Sequence, residues 1–379
     1  MRIYQNINVL DAAKERIEYL FDEFEQVAVA FSGGKDSTTV LELTLDVARR
    51  RGRLPVPLIF IDQEIEWGAT IDYVRKTMHR DEVEPMWVQV PIRMSNDASH
   101  EENYMMSWGV GEDWMRNKEP DSIQKVGFPN KGFYSMFQQF LNWKFDSRVA
   151  MIAGIRCEES PTRSTALTTG QTYKHITWGK KQNESKGQYG FYPIYDWTYY
   201  DVWKYIGEND FDYCEVYNYM HKLGVSPMSM RVSSLHHATA IKNLLLLQES
   251  EPETWNKVVK RLDGVNAIKH LSKASMQCPK ELPSMFKSWI EYRDYLVENL
   301  IFDEDLKERM VSKFKLMDEQ MEGAYKIEVM HKVQCRCAII GDKDLVLPSN
   351  FMAQPTVTTF RKWKDKGTQP KFKNKFIHK

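Results

Sequence analysis

Two spacings of apolar residues alternate along the N-terminal part of the chain. Val27–Phe31 is an unbroken apolar run, Val-Ala-Val-Ala-Phe, the pattern of a strand buried on both faces in a parallel sheet. Val56–Asp62, preceded by Pro55, and Met86–Pro91 predict two further strands. Between them the spacing changes to that of helices. Thr38–Arg51 places Val40, Leu41, Leu43, Leu45 and Val47 on a buried side, Ala69–Arg80 predicts a second helix, and Val9–Phe24 predicts one ahead of the first strand. The order β-α-β-α-β predicts an α/β fold with a doubly wound parallel sheet, whose ligands lie beyond the carboxyl ends of the strands. Asp62 stands at such an end, with Gln63, Glu64 and Glu66 after it.

The periodicity then lapses. Arg93–Phe133 is rich in Met, Trp and Gly and predicts a functional insertion or a lid. Tyr134–Lys144 reads as a helix and Arg148–Ile155 as a strand. Tyr192–Trp197 reads as a strand closing on a helix capped by Asp196 or Thr198, with Trp203 and Ile206 toward the core. From Ser233 to about Lys326 the pattern is almost purely helical, over Leu235–Leu247, Pro252–Leu262, Leu282–Asn299 and Glu304–Glu322. Val329–Leu347 predicts a short strand-and-turn module. The expected organisation is therefore an α/β domain over 1–232, a mostly helical extension over 233–328, and a small cysteine-bearing segment with a basic tail over 329–379.

The first strand runs directly into Ser32-Gly33-Gly34-Lys35-Asp36-Ser37-Thr38. Two glycines let the backbone turn tightly and approach a ligand with no Cβ in the way. Ser32, Ser37 and Thr38 offer hydroxyls and amides at a helix N-terminus, where unpaired N–H groups and the dipole attract an anion. Lys35 adds positive charge, and Asp36 is the candidate to hold a metal ion on a polyphosphate. The bland alternative is an ordinary Gly-rich turn with a solvated Lys-Asp pair. The spacing fits neither the Walker A loop nor the dinucleotide fingerprint.

A chain of 379 residues exceeds the size at which single cores stop growing, about 250–300 residues. Its composition, 42% apolar and 27% charged, is that of a globular protein. No charged-then-apolar leader and no run near the ~20 apolar residues of a membrane span is present, so the cytoplasm is the expected compartment and no membrane partner is expected. The net charge of zero hides a basic end: Arg361–Lys379 carries eight Lys or Arg against Asp365, interleaved with Trp363, Phe372 and Phe376. That pattern fits a tail that tracks DNA or RNA and equally a solvated basic terminus. Five cysteines, scattered and odd in number, argue against a disulfide framework. Cys335-Arg-Cys337 could carry sulfur or ligate an iron–sulfur cluster; the alternative is a pair of reduced structural thiols.

Two later clusters narrow the chemistry. Gly154-Ile155-Arg156 continues through Glu158, Glu159 and Ser160 to Arg163, setting two guanidiniums after a strand end, and Tyr192-Pro193-Ile194-Tyr195-Asp196-Trp197 follows. With Ser32–Ser37 and Phe60-Ile61-Asp62-Gln63, this order resembles the phosphoadenosine phosphosulfate (PAPS) reductase-like family of the PP-loop ATP pyrophosphatase superfamily, over about residues 20–230. The helical extension further resembles the subgroup of the immunoglobulin-binding regulator A, which implies a ParB/sulfiredoxin-like protein partner. The resemblance implies an adenine nucleotide alpha hydrolase-like fold, ATP with Mg²⁺ on Asp36, and contacts to the nucleotide from Ser32, Gly33, Gly34, Ser37, Thr38, Asp62, Gly154 and Arg156. Lys35, Asp36 and Arg163 become the candidate catalytic residues, acting at the α-phosphate to adenylate an acceptor in sulfur metabolism or sulfur transfer. Two departures are visible. The Glu-Cys-Gly nucleophile of PAPS reductases is missing near Lys379, leaving Cys335 or Cys337 for a thiol-dependent reductase, and Gln63 replaces the usual Thr. An intact Ser32–Ser37 points to ATP over PAPS. A regulatory nucleotide- or nucleic-acid-binding protein without turnover is the remaining alternative.

Overall fold

The computed structural model describes residues 6–97, 104–124, 127–128, 132–168, 172–183, 186–237, 241–262, 265, 278–279, 281–301, 303–324 and 326–365. The chain divides into two compact units, the first ending at Leu262 and the second running on from Asp263. The hydrophobic pattern had placed the first boundary at 232/233.

In the first unit, α1 (Val9–Glu23), β1 (Gln26–Ala30), α2 (Lys35–Arg50), β2 (Val56–Ile61), α3 (Gly68–Met78) and β3 (Val83–Val88) follow in the expected alternation. Then come β4 (Ile92–Ser95), β5 (Tyr104–Ser107), α4 (Phe133–Lys144), β6 (Val149–Ala153), α5 (Pro161–Thr168), β7 (Thr172–Tyr173), β8 (Ile176–Asn183) and β9 (Gln188–Phe191). The helices α6 (Tyr199–Glu208), α7 (Val216–Lys222), α8 (Ile241–Ser250) and α9 (Pro252–Arg261) complete the unit. Seven strands form one sheet in the order β3-β2-β1-β6-β9-β8-β7. Its first five strands pair in parallel, and β8 and β7 add an antiparallel edge. Strand order reverses between β1 and β6, so the crevice at their carboxyl ends is the place where such sheets hold ligands.

The core explains the pattern. Ile17 and Leu20 of α1, Leu41 and Leu45 of α2, and Val27, Val29 and Leu58 of the sheet are buried in one cluster. Phe24, Tyr173, Tyr189 and Phe191 close the antiparallel edge with ring centroids 4.6–5.7 Å apart. Tyr192–Trp197 is a turn, not a strand, since the strand (β9) ends at Phe191. Thr198 caps α6: its hydroxyl accepts from Asp201 N at 3.2 Å, and the Asp201 carboxylate accepts from Thr198 N at 2.7 Å. Asp196 instead takes both arms of Arg16, at 2.8 and 2.7 Å, tying the turn to α1.

Among the described residues of the second unit the elements are helices: Trp289–Leu300, Glu304–Met321, Ile327–Ile339, Val346–Met352 and Pro355–Asp365. The strand-and-turn expectation for Val329–Leu347 is overturned. Apolar Val333, Cys335 and Cys337 alternate with Gln334 and Arg336, which imitates a strand. The buried set, however, is Met330, His331, Gln334, Cys335, Cys337 and Ala338, a helical spacing. Arg361, Lys362 and Lys364 lie on the last helix, and the tail from residue 366 onward lies outside the described residues. Among the described residues no helix is long and apolar enough to cross a membrane.

Candidate functional site

β1 delivers the chain into Ser32–Ser37 at the reversal point of the sheet. Gly33 sits at φ +72°, in the left-handed region that disfavours side chains, and a Cβ there would lie 3.0 Å from Thr70 Cγ2 and 3.2 Å from Val74 Cγ2 on α3. Gly34 is the N-cap residue of α2. The N–H groups of Asp36 and Ser37 fall in the first helical turn, where an α-helix supplies no acceptor of its own. Ser37 Oγ donates to Gly34 O at 2.8 Å and accepts from Ser32 N at 3.3 Å, which braces the turn. Thr38 faces elsewhere: its buried hydroxyl lies between Gly34 O (3.1 Å) and Tyr73 OH (3.0 Å), in the packing of α2 on α3.

The end of β6 is pressed onto this loop. At Gly154 an added Cβ would stand 2.6 Å from the carbonyl carbon and oxygen of Asp36 and 2.8 Å from Ser37 N, closer than any carbon packs. Two residues on, the buried Arg156 donates through Nε to Asp36 Oδ1, and its Nη1 reaches Glu158 at 3.2 Å and Trp197 O at 3.4 Å. Lys35 Nζ donates to the other Asp36 oxygen at 2.9 Å. Arg163, on α5, pairs with Glu159. The sequence placed both arginines at the loop; Arg156 bridges Glu158 and the loop acid Asp36, while the partner of Arg163 is Glu159.

Sequence reasoning missed two further members. Tyr217 on α7 is buried, and its hydroxyl accepts from Lys35 N at 2.9 Å. Met230 O accepts from Lys35 Nζ at 3.4 Å. Next to Met230, Arg231 extends to donate to Glu159 O. The one hint in the sequence is that Arg231 is the sole charged residue between Lys222 and His236. Lys35, Arg156, Arg163 and Arg231 thus gather around Asp36, Glu158 and Glu159. The crowding is felt in their titration. Burial, helped by Arg156 and Arg231 and opposed by Asp36, holds the Lys35 ammonium below its usual pKa. Burial, with Arg231 next, does the same to Arg163.

Asp62 is placed differently from the expectation of a nucleotide contact. It is fully buried, and its carboxylate accepts from Arg116 Nη2 (2.6 Å to each oxygen), Trp87 Nε1 (2.7 Å), Gln89 Nε2 (2.8 Å) and Glu64 N (2.9 Å). Glu64 similarly holds Trp108 N at 2.8 Å, Met115 N at 3.0 Å and Arg261 Nε at 2.7 Å. The aperiodic segment after β5 is therefore fastened over the end of β2 by buried acids. Beside them Glu66, paired with Ser234 Oγ at 2.6 Å, is pushed by burial to a pKa of about 8.

In the second unit Cys335 and Cys337 lie two positions apart on one helix, so their side chains leave it in different directions. Cys335 Sγ faces Trp289 O at 3.6 Å and Cys337 Sγ faces Asp342 O at 3.9 Å. Both are fully buried. A hydrogen bond with Cys278 and burial push the Cys335 thiol up, and burial does so for Cys337.

The profile of the phosphoadenosine phosphosulfate reductase domain matches residues 26–224, and that of a domain of unknown function (DUF3440) matches residues 224–377. The uncharacterized protein YbdN of Escherichia coli (strain K12) is 30% identical over 272 residues, covering 69% of this chain and 67% of that protein. Sulfate adenylyltransferase subunit 2 of Mycobacterium tuberculosis is 28% identical over 198 residues, 49% of this chain, and the chain spans only 55% of its length. Among solved structures, Candida glabrata FMN adenylyltransferase in complex with ATP aligns over 56% of this chain and 57% of its own, with TM-score 0.37 and 15% identity. The phosphate complex of PAPS reductase from Candida auris aligns over 62% of this chain and 98% of its own, with TM-score 0.33 and 15% identity. Since the first match spans more than half of the sequence and takes in the loop, the β6 end and Arg163, this chain belongs to the phosphoadenosine phosphosulfate reductase domain family.

Proposed function

We propose that the protein is an ATP-using PP-loop enzyme that acts at the α-phosphate and adenylates an acceptor in sulfur metabolism or sulfur transfer. The observation that carries this reading is the gathering of Lys35, Arg156, Arg163 and Arg231 around a loop that opens a helix at the reversal point of the sheet. Phosphates bound at Ser32–Ser37 would meet the amides of Asp36 and Ser37 and the Lys35 ammonium. In the reaction an acceptor oxygen attacks the α-phosphorus, the bond to the bridging oxygen breaks, and pyrophosphate leaves. Lys35 and Arg163 neutralise the charge that develops, and because they sit in a partly dehydrated site their effect exceeds that of solvated cations. The likeness to sulfate adenylyltransferase subunit 2 supports an adenylating role in sulfur chemistry.

The described residues contain no group of three His, Cys, Asp or Glu side chains placed to hold a metal. Both oxygens of Asp36, the acid of the loop, are taken by Lys35 and Arg156. Mg²⁺ would therefore arrive on the nucleotide, as it commonly does. Asp36 would hold it after exchanging one of these partners, and the ion would offset phosphate charge. A thiol-dependent reduction draws no support from Cys335 and Cys337, whose thiols are buried. The test is incubation of the full chain with α-labelled ATP and Mg²⁺. Labelled AMP or an AMP adduct, with release of pyrophosphate and loss of both in Lys35→Met, is expected; intact ATP after prolonged incubation refutes turnover.

A further inference from the structure

The spacing of the cysteines singles out Cys335 with Cys337, but the fold gives Cys335 another neighbour. Cys278 packs against the buried cluster of the second unit that contains both. Of the two, Cys335 is the one hydrogen-bonded to the Cys278 thiol. Cys337 points elsewhere, toward Asp342 O. Cys335 is fully buried and Cys278 only half-buried, so one member of the pair meets solvent and the other stands behind it. Lys332 and Arg336 lie one turn apart on the helix that carries Cys335, on the side of that residue. The Lys332 ammonium is held 4.6 Å from the centre of the Trp289 ring and 3.4 Å from Glu328. The hydrogen bond from Cys335 draws the Cys278 thiol below its usual pKa; burial opposes this, and Lys332 and Arg336 add to it. A half-exposed thiol beside cations and a donor is the reactive kind of cysteine.

We propose that Cys278 and Cys335 are a site of reversible oxidation, in which Cys278 reacts first with a low-molecular-weight disulfide and Cys335 resolves the product. The Cys278 thiolate attacks one sulfur of the small disulfide, whose S–S bond breaks, and a first small thiol leaves with the proton that Cys278 gave up. Cys335 then loses its proton to water and attacks Cys278 Sγ. The bond from Cys278 to the small molecule breaks, and a second small thiol leaves. Two protein thiols have been oxidised and one small disulfide reduced to two thiols. The order of events follows from the contacts. The hydrogen bond to Cys278 is the first cause holding the Cys335 thiol up, ahead of burial, and that cause disappears once Cys278 is in a mixed disulfide. An alkylating reagent leaves no bond for Cys335 to attack, so it stops at Cys278 and Cys335 stays unlabelled.

The test is incubation of the folded, reduced full chain with oxidised glutathione, followed by peptide mapping without reductant. A cross-linked peptide pair containing Cys278 and Cys335 is expected, with an intact mass lower by two hydrogens, and a reductant should restore the starting mass. Cys335→Ser should stop at the mixed disulfide, with glutathione held on Cys278. Cys278→Ser should slow oxidation of Cys335 by about tenfold or more, because no accessible thiol then precedes it. Thermal melts of both serine variants check that the cluster still folds, and the wild-type map decides the pairing with no substitution at all. Wild-type chain that keeps both thiols free, or that links either of them to a different cysteine, overturns the proposal. So does a folded Cys278→Ser chain whose Cys335 is oxidised as fast as in wild type.

Discussion

Gly154→Ala offers the sharpest test of how the site is built. One methyl group is added, and the glycine is not one of those at positive φ, so backbone strain at residue 154 itself does not confuse the result. The new Cβ would lie 2.6 Å from Asp36 C and O and 2.8 Å from Ser37 N, against an optimum near 3.5–4.0 Å. The overlap of roughly 1 Å falls on backbone of the first turn of α2, which has no rotamer to change. Either the end of β6 or the N-terminus of α2 must move by a comparable distance. Overpacking of this kind costs about 1–3 kcal/mol, which for a unit of this size lowers Tm by roughly 2–12 °C. The functional cost should be larger than the stability cost. Displacement of phosphate-binding groups by about 1 Å can reduce rate by around a hundredfold. The assay pairs a thermal melt with ATP binding and pyrophosphate release, and Gly207→Ala serves as the control. A Cβ at Gly207, within α6, meets nothing within 4 Å, so that variant should melt at or slightly above wild type. If Gly154→Ala keeps both the melting temperature and the ATP affinity of wild type, the close seating of β6 on the phosphate loop is wrong.

Other outcomes follow from particular residues. Glu66, at a pKa of about 8 when folded against 4.5 ordinarily, keeps its proton in the native state and loses it in the unfolded state between those values. Stability should therefore fall as pH rises through that window, by up to about 1.4 kcal/mol per pH unit; Glu66→Gln should flatten the dependence in urea titrations at pH 5, 6.5 and 8, and an unchanged slope refutes the assignment. Cys335 and Cys337 should resist a thiol-specific chromogenic reagent at pH 7.5 in the folded chain and react on unfolding, and rapid labelling of either in the native state contradicts their burial. Truncation after Asp365 leaves the last described helix whole and removes Lys366, Lys371, Lys373, Lys375 and Lys379. If the tail binds nucleic acid, the intact chain should bind DNA or RNA with a steep salt dependence that the truncation abolishes, and equal binding by both forms rejects the role.

What could be read from the sequence was whatever repeats. The run Val27–Phe31, the helix of α2 and the glycines between them announce a strand, a turn and a helix in order, and the structure places them so. Gly154, Arg156 and Arg163 were legible because a glycine and two arginines follow another apolar run. Arg231 and Tyr217 were not. Each is a single residue in a segment without periodicity, and its role depends on where the chain returns in space. Asp62 misled for a related reason: a strand-end acid looks the same whether it faces a ligand or, as here, is saturated by Arg116, Trp87 and Gln89. The antiparallel edge escaped notice because β8, Ile176–Asn183, is half polar and only partly buried. In the segment around Cys335 the alternation of side chains hid a helix whose burial recurs every three or four residues.

The Tyr217 hydroxyl also sets a timetable. Lys35 N and its acceptor are 182 residues apart, and Lys35 Nζ and Met230 O are 195 apart. A ribosome adding about 5–20 residues per second needs roughly 10–40 s to make that span. During that interval the nascent chain carries the Ser32–Ser37 turn and a sheet that is still incomplete, with Lys35 lacking both partners. An early segment of this unit is thus completed by one of the unit's later pieces, and Lys35 of a growing chain lacks both partners until Met230 has been added.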